Sequence, residues 1–99
     1  MTPRRVRLTA TARDHLDLER RWWLNNRDHQ ELFAHEVERM LEILSTVPAA
    51  GHLYSRSPMP GVRRLFLRKL NCHVYYTFDD EQVIVRALWG ARRGQGPGL

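Results

Sequence analysis

The chain predicts an α+β domain made of an N-terminal strand, an αα-hairpin and a three-stranded antiparallel meander. Three observations point there. Between residues 10 and 45 apolar residues recur at helical spacing in two blocks. Between residues 63 and 87 they alternate at strand spacing. The alternating block is broken twice, at Leu70-Asn71 and Asp80-Glu81, by tight two-residue turns. With 99 residues there is room for one domain, 1–99, with a sheet packed on a helix pair.

Each element has its own local reason. Val6 and Leu8 alternate with Arg5, Arg7 and Thr9, as in a short half-buried strand. Thr9 or Thr11 starts the first helix, and Thr11-x-x-Asp14 fits a capping box. Ala12, Leu16, Glu19 and Trp23 fall on one stripe with Leu18 and Trp22 beside it, so this helix is expected to reach about Leu24. Asn25-Asn26-Arg27 reads as a turn. The second helix is expected from Asp28 to Ser45, its core stripe formed by Leu32, Phe33, Val37, Met40, Leu41 and Leu44. Glu31, Glu38, Arg39 and Glu42 lie opposite, and Pro48 and Gly51 end the helix. Residues 49–61 read as a loop.

The strand register follows from the turns. A turn at Leu70-Asn71 pairs Arg68 with His73, Leu67 with Val74, Phe66 with Tyr75 and Leu65 with Tyr76. A turn at Asp80-Glu81 pairs Phe78 with Val83, Tyr76 with Val85 and Tyr75 with Arg86. One face then collects Leu65, Leu67, Val74, Tyr76, Phe78, Val83, Val85 and Ala87 as core. The other carries Arg64, Phe66, Arg68, His73, Tyr75, Ile84 and Arg86. Cys72 and Trp89 fall on the core-facing parity.

Charge is distributed unevenly. Residues 1–50 hold eight arginines against eight acids, whereas residues 51–99 hold seven arginines and one lysine against Asp79, Asp80 and Glu81. The whole net charge of +5 therefore lies on the sheet half. Arginine forks bind phosphate and carboxylate equally well, so composition leaves a nucleic acid and an acidic protein equally open as partners. No apolar run approaches the ~18 residues of a membrane span, and MTPRRVRLT has no apolar signal segment, so a soluble cytoplasmic protein is expected. A single cysteine, Cys72, excludes an internal disulfide and reads as a small core residue. His15, His29, His35 and His52 show no metal-ligand spacing. No cofactor and no metal are expected.

Several motifs recur in order along the chain: Leu8-Thr9-x-x-Ala12, Leu44-x-x-x-Pro48-x-x-Gly51, Gly61-Val62-Arg63-Arg64-Leu65, Val74-Tyr75-Tyr76 and Trp89-Gly90-Ala91-Arg92-Arg93. This ordered set, spanning nearly the whole chain, resembles the RelE/ParE superfamily of bacterial toxin–antitoxin toxins. The resemblance implies a growth-inhibiting toxin neutralised by a small acidic, DNA-binding antitoxin. It also implies one of two mechanisms. RelE-like members cleave mRNA on the ribosome with basic residues on the exposed sheet face, a basic residue after the last strand, and usually a tyrosine near the C-terminus. Arg64 and Arg93 match that pattern. Phe66 and His73 stand where lysine and arginine are typical, and the tail has no tyrosine. ParE-like members are reported to poison DNA gyrase and commonly close on a motif like His-Gly-x-Arg, which Trp89-Gly90-Ala91-Arg92 resembles. The chain thus looks closer to ParE.

The resulting expectations are specific. Arg64, Arg68, Arg86, Arg92 and Arg93 are expected to contact the target. Trp22, Trp23, Phe66 and Tyr75 are expected to contact the antitoxin, one tryptophan lying in the core and the other at a groove edge. No catalytic residue is expected. In the alternative reading, a ribosome-dependent endoribonuclease, His73 is the base and Arg64 and Arg93 clamp the phosphate. A third reading is a non-toxic module that binds the antitoxin.

Overall fold

A computed structural model describes residues 2–27, 29–94 and 96–99. Among these, the chain runs β1 (Arg5–Leu8), α1 (Ala10–Asn26), α2 (Gln30–Thr46), a 3-10 turn (Pro48–Ala50), β2 (His52–Leu53), β3 (Arg63–Leu67), β4 (Cys72–Phe78), β5 (Gln82–Gly90) and a second 3-10 turn (Ala91–Arg93). The strands form one five-stranded sheet in the order β1-β5-β4-β3-β2. The α+β class, the hairpin and the meander stand as expected. β2 is an addition: two residues of the presumed loop pair with Arg63 and Arg64 at the sheet edge.

Thr9 is the cap of α1, its hydroxyl accepting from the Ala12 N–H at 3.1 Å. The Thr11–Asp14 box is therefore not used. The helix also outlasts Leu24: the Asn26 amide donates to the Trp22 carbonyl at 2.8 Å and Arg27 caps the end, so Asn25-Asn26 are helical rather than a turn. The expected start of α2 at Asp28 lies outside the described residues.

Both helices cover one face of the sheet. Ala12, Trp23, Phe33, Met40 and Leu44 meet Leu67, Val74, Tyr76, Val83, Val85 and Leu88 in a single buried cluster that also takes in Cys72. Each buried Val, Leu, Met or Phe side chain among them contributes about 1.5–3 kcal/mol by leaving water. Burial pushes the Cys72 thiol up to about 12, consistent with a packing role.

Two register corrections matter for the exposed face. β3 and β4 pair Leu67 with Cys72, Phe66 with His73 and Leu65 with Val74, two residues from the expected register. Leu70 is the cause: it is buried, so it cannot sit at the tip of a tight turn, and a four-residue turn forms with Asn71 at φ 51. A slip of two keeps every side chain on its face. The second correction does not. β4 and β5 pair as expected from Phe78 to Tyr76, but a bulge then leaves Arg86 without a partner and sets Tyr75 against Ala87, not Arg86. Beyond the bulge β5 is inverted. Leu88 enters the helix-side core, and Ala87 and Trp89, expected there, lie on the opposite face.

Candidate functional site

The sheet face away from the helices carries a second, smaller cluster: Val62, Tyr75 and Ala87, with Tyr54, Trp89 and Leu99 packed on it. Tyr54 arrives from the segment after β2, held by its N–H donating to the Val62 carbonyl at 2.8 Å. Its ring meets that of Tyr75 edge-on at 5.0 Å, and the Arg64 guanidinium lies over it at 5.3 Å. Beside this stack is a depression of about 350 Å³ lined by His52, Leu53, Tyr54, Ser55, Arg56, Arg64, Phe66 and His73. Arg56 and Arg64 make no ion pair with an acid among the described residues. Arg64 and His73 are thus brought together as expected, while Tyr54 and Arg56 were missed. Only the edge strand β2, two residues long and without a periodic signal, carries them to the site.

The imidazole of His73 stacks obliquely on Phe66 with ring centroids 4.8 Å apart. Burial, and secondarily the Arg64 charge, hold its pKa below the ordinary histidine value, so the ring is neutral at pH 7. Its Nδ1 is buried and has no hydrogen-bond partner among the described residues; the same is true of Nε1 of Trp89, its cross-strand neighbour.

The remaining arginines are dispersed. Arg93 lies over the Trp89 ring at 4.2 Å and does not line the depression that Arg64 and His73 share. Arg86, at the bulge, donates to the Thr77 hydroxyl at 3.0 Å. Arg68 is in the β3–β4 turn beside Met40 and Ile43 of α2. Arg92 is committed inward. Its guanidinium forms a two-pronged ion pair with Glu19 of α1, at 3.0 and 2.6 Å, and lies 4.1 Å from the Trp22 ring centre. Gly90 leaves the space for this pair: a Cβ there would stand 2.5 Å from both Arg92 and Glu19. The closing Trp89-Gly90-Ala91-Arg92 segment therefore fastens the end of β5 to α1.

The aromatic residues expected at the antitoxin surface divide in two. Trp23 is in the core and Trp22 half-buried beside it, lining a groove with Arg27, Leu32, Lys69 and Leu70. Phe66 is 43% exposed. Tyr75 is 2% exposed, packed with Val62 and Ala87 beneath Tyr54, and offers no surface to a partner.

His15 of α1 covers the edge of β5 beyond the reach of β1. Its Nδ1 accepts from the Leu88 N–H at 3.3 Å and its ring meets Trp89 edge-on at 5.4 Å. Burial first and Arg93 second lower its pKa, against the opposing pull of Asp14 and Glu19. Because the folded state favours neutral His15 and His73, the unfolded chain binds more protons below the ordinary pKa of 6.5. Stability is therefore fully present above pH 6.5 and is lost as pH falls through and below it. The urea midpoint should fall between pH 7.5 and pH 5.5, with a shallower fall in His15→Leu; equal slopes in the two proteins would show that His15 is not responsible.

The model of the family described as the ParE toxin of the type II toxin–antitoxin system, parDE, matches residues 6–94. Among solved structures, the chromosomal ParDE system of P. aeruginosa is similar with a TM-score of 0.69 at 16% identity, covering 88% of this chain and 95% of that one. YafQ of E. coli strain BL21(DE3) is similar with a TM-score of 0.63 at 13% identity, covering 94% and 99%. The E. coli DinJ–YafQ toxin–antitoxin complex gives 0.61 at 10% identity, covering 95% and 99%. No curated protein matches the chain.

Proposed function

Since the chain belongs to the family of ParE toxins of type II toxin–antitoxin systems, we propose that it arrests growth in the cytoplasm by binding DNA gyrase and is neutralised by an acidic antitoxin encoded beside it. The observation that carries this choice over mRNA cleavage is the dispersal of the ribonuclease set. Arg93 stands on the ring of Trp89 and lines neither recess that Arg64 and His73 share, Phe66 fills a position where a cation would serve, and among the described residues no side chain orients the His73 ring through Nδ1. A general base without an orienting partner and a phosphate clamp missing one arm are poor tools for phosphoryl transfer.

The antitoxin reading rests on the helix side. The groove between Trp22, Leu32 and Leu70 and the one between Met40, Ile43 and Leu65 are apolar, with Arg27, Lys69, Arg39 and Arg68 at their rims. Such grooves suit an acidic peptide that folds as it binds, with affinity that falls with salt.

A second reading keeps the neutral imidazole of His73 beside Arg64 as a ribonuclease site. Pulse labelling of DNA and protein synthesis within minutes of inducing the chain alone separates the two. DNA synthesis should stop first and His73→Ala should remain toxic. Protein synthesis stopping first, with toxicity lost in His73→Ala, would overturn the gyrase reading.

A further inference from the structure

We propose that Glu36 determines partner specificity in the groove between α2 and β3, and that the antitoxin must reach it with one arginine or lysine set among aliphatic anchors. This rests on the reading that an antitoxin occupies the helix-side grooves. Among the described residues two acids are buried, Glu19 and Glu36. Acids are almost never buried unpaired, because the carboxylate gives up hydration that only charge-assisted hydrogen bonds replace. Glu19 has such a partner in Arg92, with two hydrogen bonds. Glu36 has no equivalent. Its side chain is 8% exposed, and its Oε2 is buried with no hydrogen-bond partner among the described residues. Arg39 stands 3.8 Å away, too far for a hydrogen bond, with its own side chain 56% exposed to water.

The location of Glu36 turns this deficit into a site. It lies on the core stripe of α2, one turn from Phe33 and from Met40, and lines a groove of about 270 Å³ with Met40, Ile43 and Leu65. A cation seated there pairs the carboxylate, whereas an apolar side chain seals the charge in without a partner. Guanidinium fits best, since it can repeat the two parallel bonds that Arg92 gives Glu19. Arg39, Arg68 and Lys69 line the same groove and set the rest of the ligand. They repel a segment that is basic throughout, so the inserted cation must be flanked by acids. The matching chemistry is a single basic residue in an otherwise acidic, amphipathic segment. An antitoxin with leucine at that position would bury similar apolar area yet strand Glu36, which is how one carboxylate rejects a non-cognate partner.

Selection of displayed sixteen-residue amphipathic helices on the full chain tests this. Their inward face carries leucine and their outer face glutamate, with one inward position at a time randomised. The parent chain should enrich arginine or lysine over leucine at one position by about 10- to 150-fold. That enrichment should vanish on Glu36→Gln and turn to aspartate or glutamate on Glu36→Lys. No selectable helix, leucine preferred at every inward position, or basic residues enriched equally on Glu36→Gln would each overturn the proposal. In the free chain Glu36→Leu should raise the melting temperature by about 4–8 °C, because it removes an unpaired buried charge. A fall matched by Arg39→Ala would show that Arg39 already answers the carboxylate, and would overturn it too. Titration of the protein encoded by the adjoining reading frame separates this proposal from the antitoxin reading. That protein should bind the parent about 10- to 150-fold more tightly than Glu36→Gln. Equal affinities would remove the role of Glu36 and leave the antitoxin reading intact, whereas no binding to the parent would remove both.

Discussion

Arg92→Ala is expected to lower stability by about 3–5 kcal/mol, because it leaves the Glu19 carboxylate buried without its partner. The asymmetry of the pair dictates this size. The Glu19 side chain is 3% exposed and the Arg92 side chain 30%, so the arginine can recover hydration when its partner is lost and the glutamate cannot. For a domain this small the loss corresponds to a drop in melting temperature on the order of 15–30 °C. Lysine at position 92 should restore only part of it, since an ammonium cannot reproduce the two parallel hydrogen bonds or the contact with Trp22. Combining Arg92→Ala with Glu19→Gln should recover more, because the second change removes the stranded charge. Thermal melts of the four proteins check the series. A melting point for Arg92→Ala within a few degrees of the parent would mean that this ion pair does not fasten β5 to α1.

Gly51→Ala should cost about 2–4 kcal/mol, through overpacking together with a broken hydrogen-bond junction. Gly51 lies where α2, β3 and β4 converge. Its N–H donates to the Tyr76 hydroxyl at 2.8 Å, that hydroxyl donates to the Pro48 carbonyl at 2.6 Å, and the Gly51 carbonyl accepts from Arg63 at 2.7 Å. Burial raises the pKa of the Tyr76 hydroxyl, so it keeps the proton it donates. A Cβ on residue 51 would stand 2.7 Å from that hydroxyl and 2.9 Å from the Arg64 carbonyl oxygen, and backbone cannot swing aside. Tyr76→Phe alone should cost about 1–3 kcal/mol by stranding the Gly51 N–H. The two substitutions act on one junction, so urea denaturation of the double variant should show less than the sum. Simple additivity would mean that the hydroxyl and the glycine do not share it.

These two junctions also explain motifs that the sequence displays without their reasons. Pro48-x-x-Gly51 brackets a hydroxyl supplied 25 residues after Gly51, and Gly90-x-Arg92 encloses a carboxylate 73 residues before Arg92. Glu19 falls on an otherwise apolar helical stripe, yet its sequence context reads it, with Asp14 and Asp17, as a solvated acid; it is instead buried, because Arg92 reaches it from the end of β5. Tyr54 and Arg56 left no such trace.

What the sequence determined by itself was whatever depends on local periodicity. The helical stripes of α1 and α2, the alternation of β3 and β4 and the first half of β5 each follow from neighbours a few residues away, because side-chain direction repeats every 3.6 or 2 residues. Face assignments along β3 survived an incorrect turn for the same reason, the slip there being an even number. Tertiary structure decided whatever depends on distant partners. The bulge at Arg86 turned Ala87, Leu88 and Trp89 over, and no local signal encodes it, because a bulge reconciles the twist and pairing of one strand with both its neighbours. It also set Ala87 against Tyr75 and brought Trp89 to the exposed face. The pairing of two residues of β2 with β3 then set Tyr54 and Arg56 beside Arg64, so the candidate site depends on contacts that only the folded chain makes.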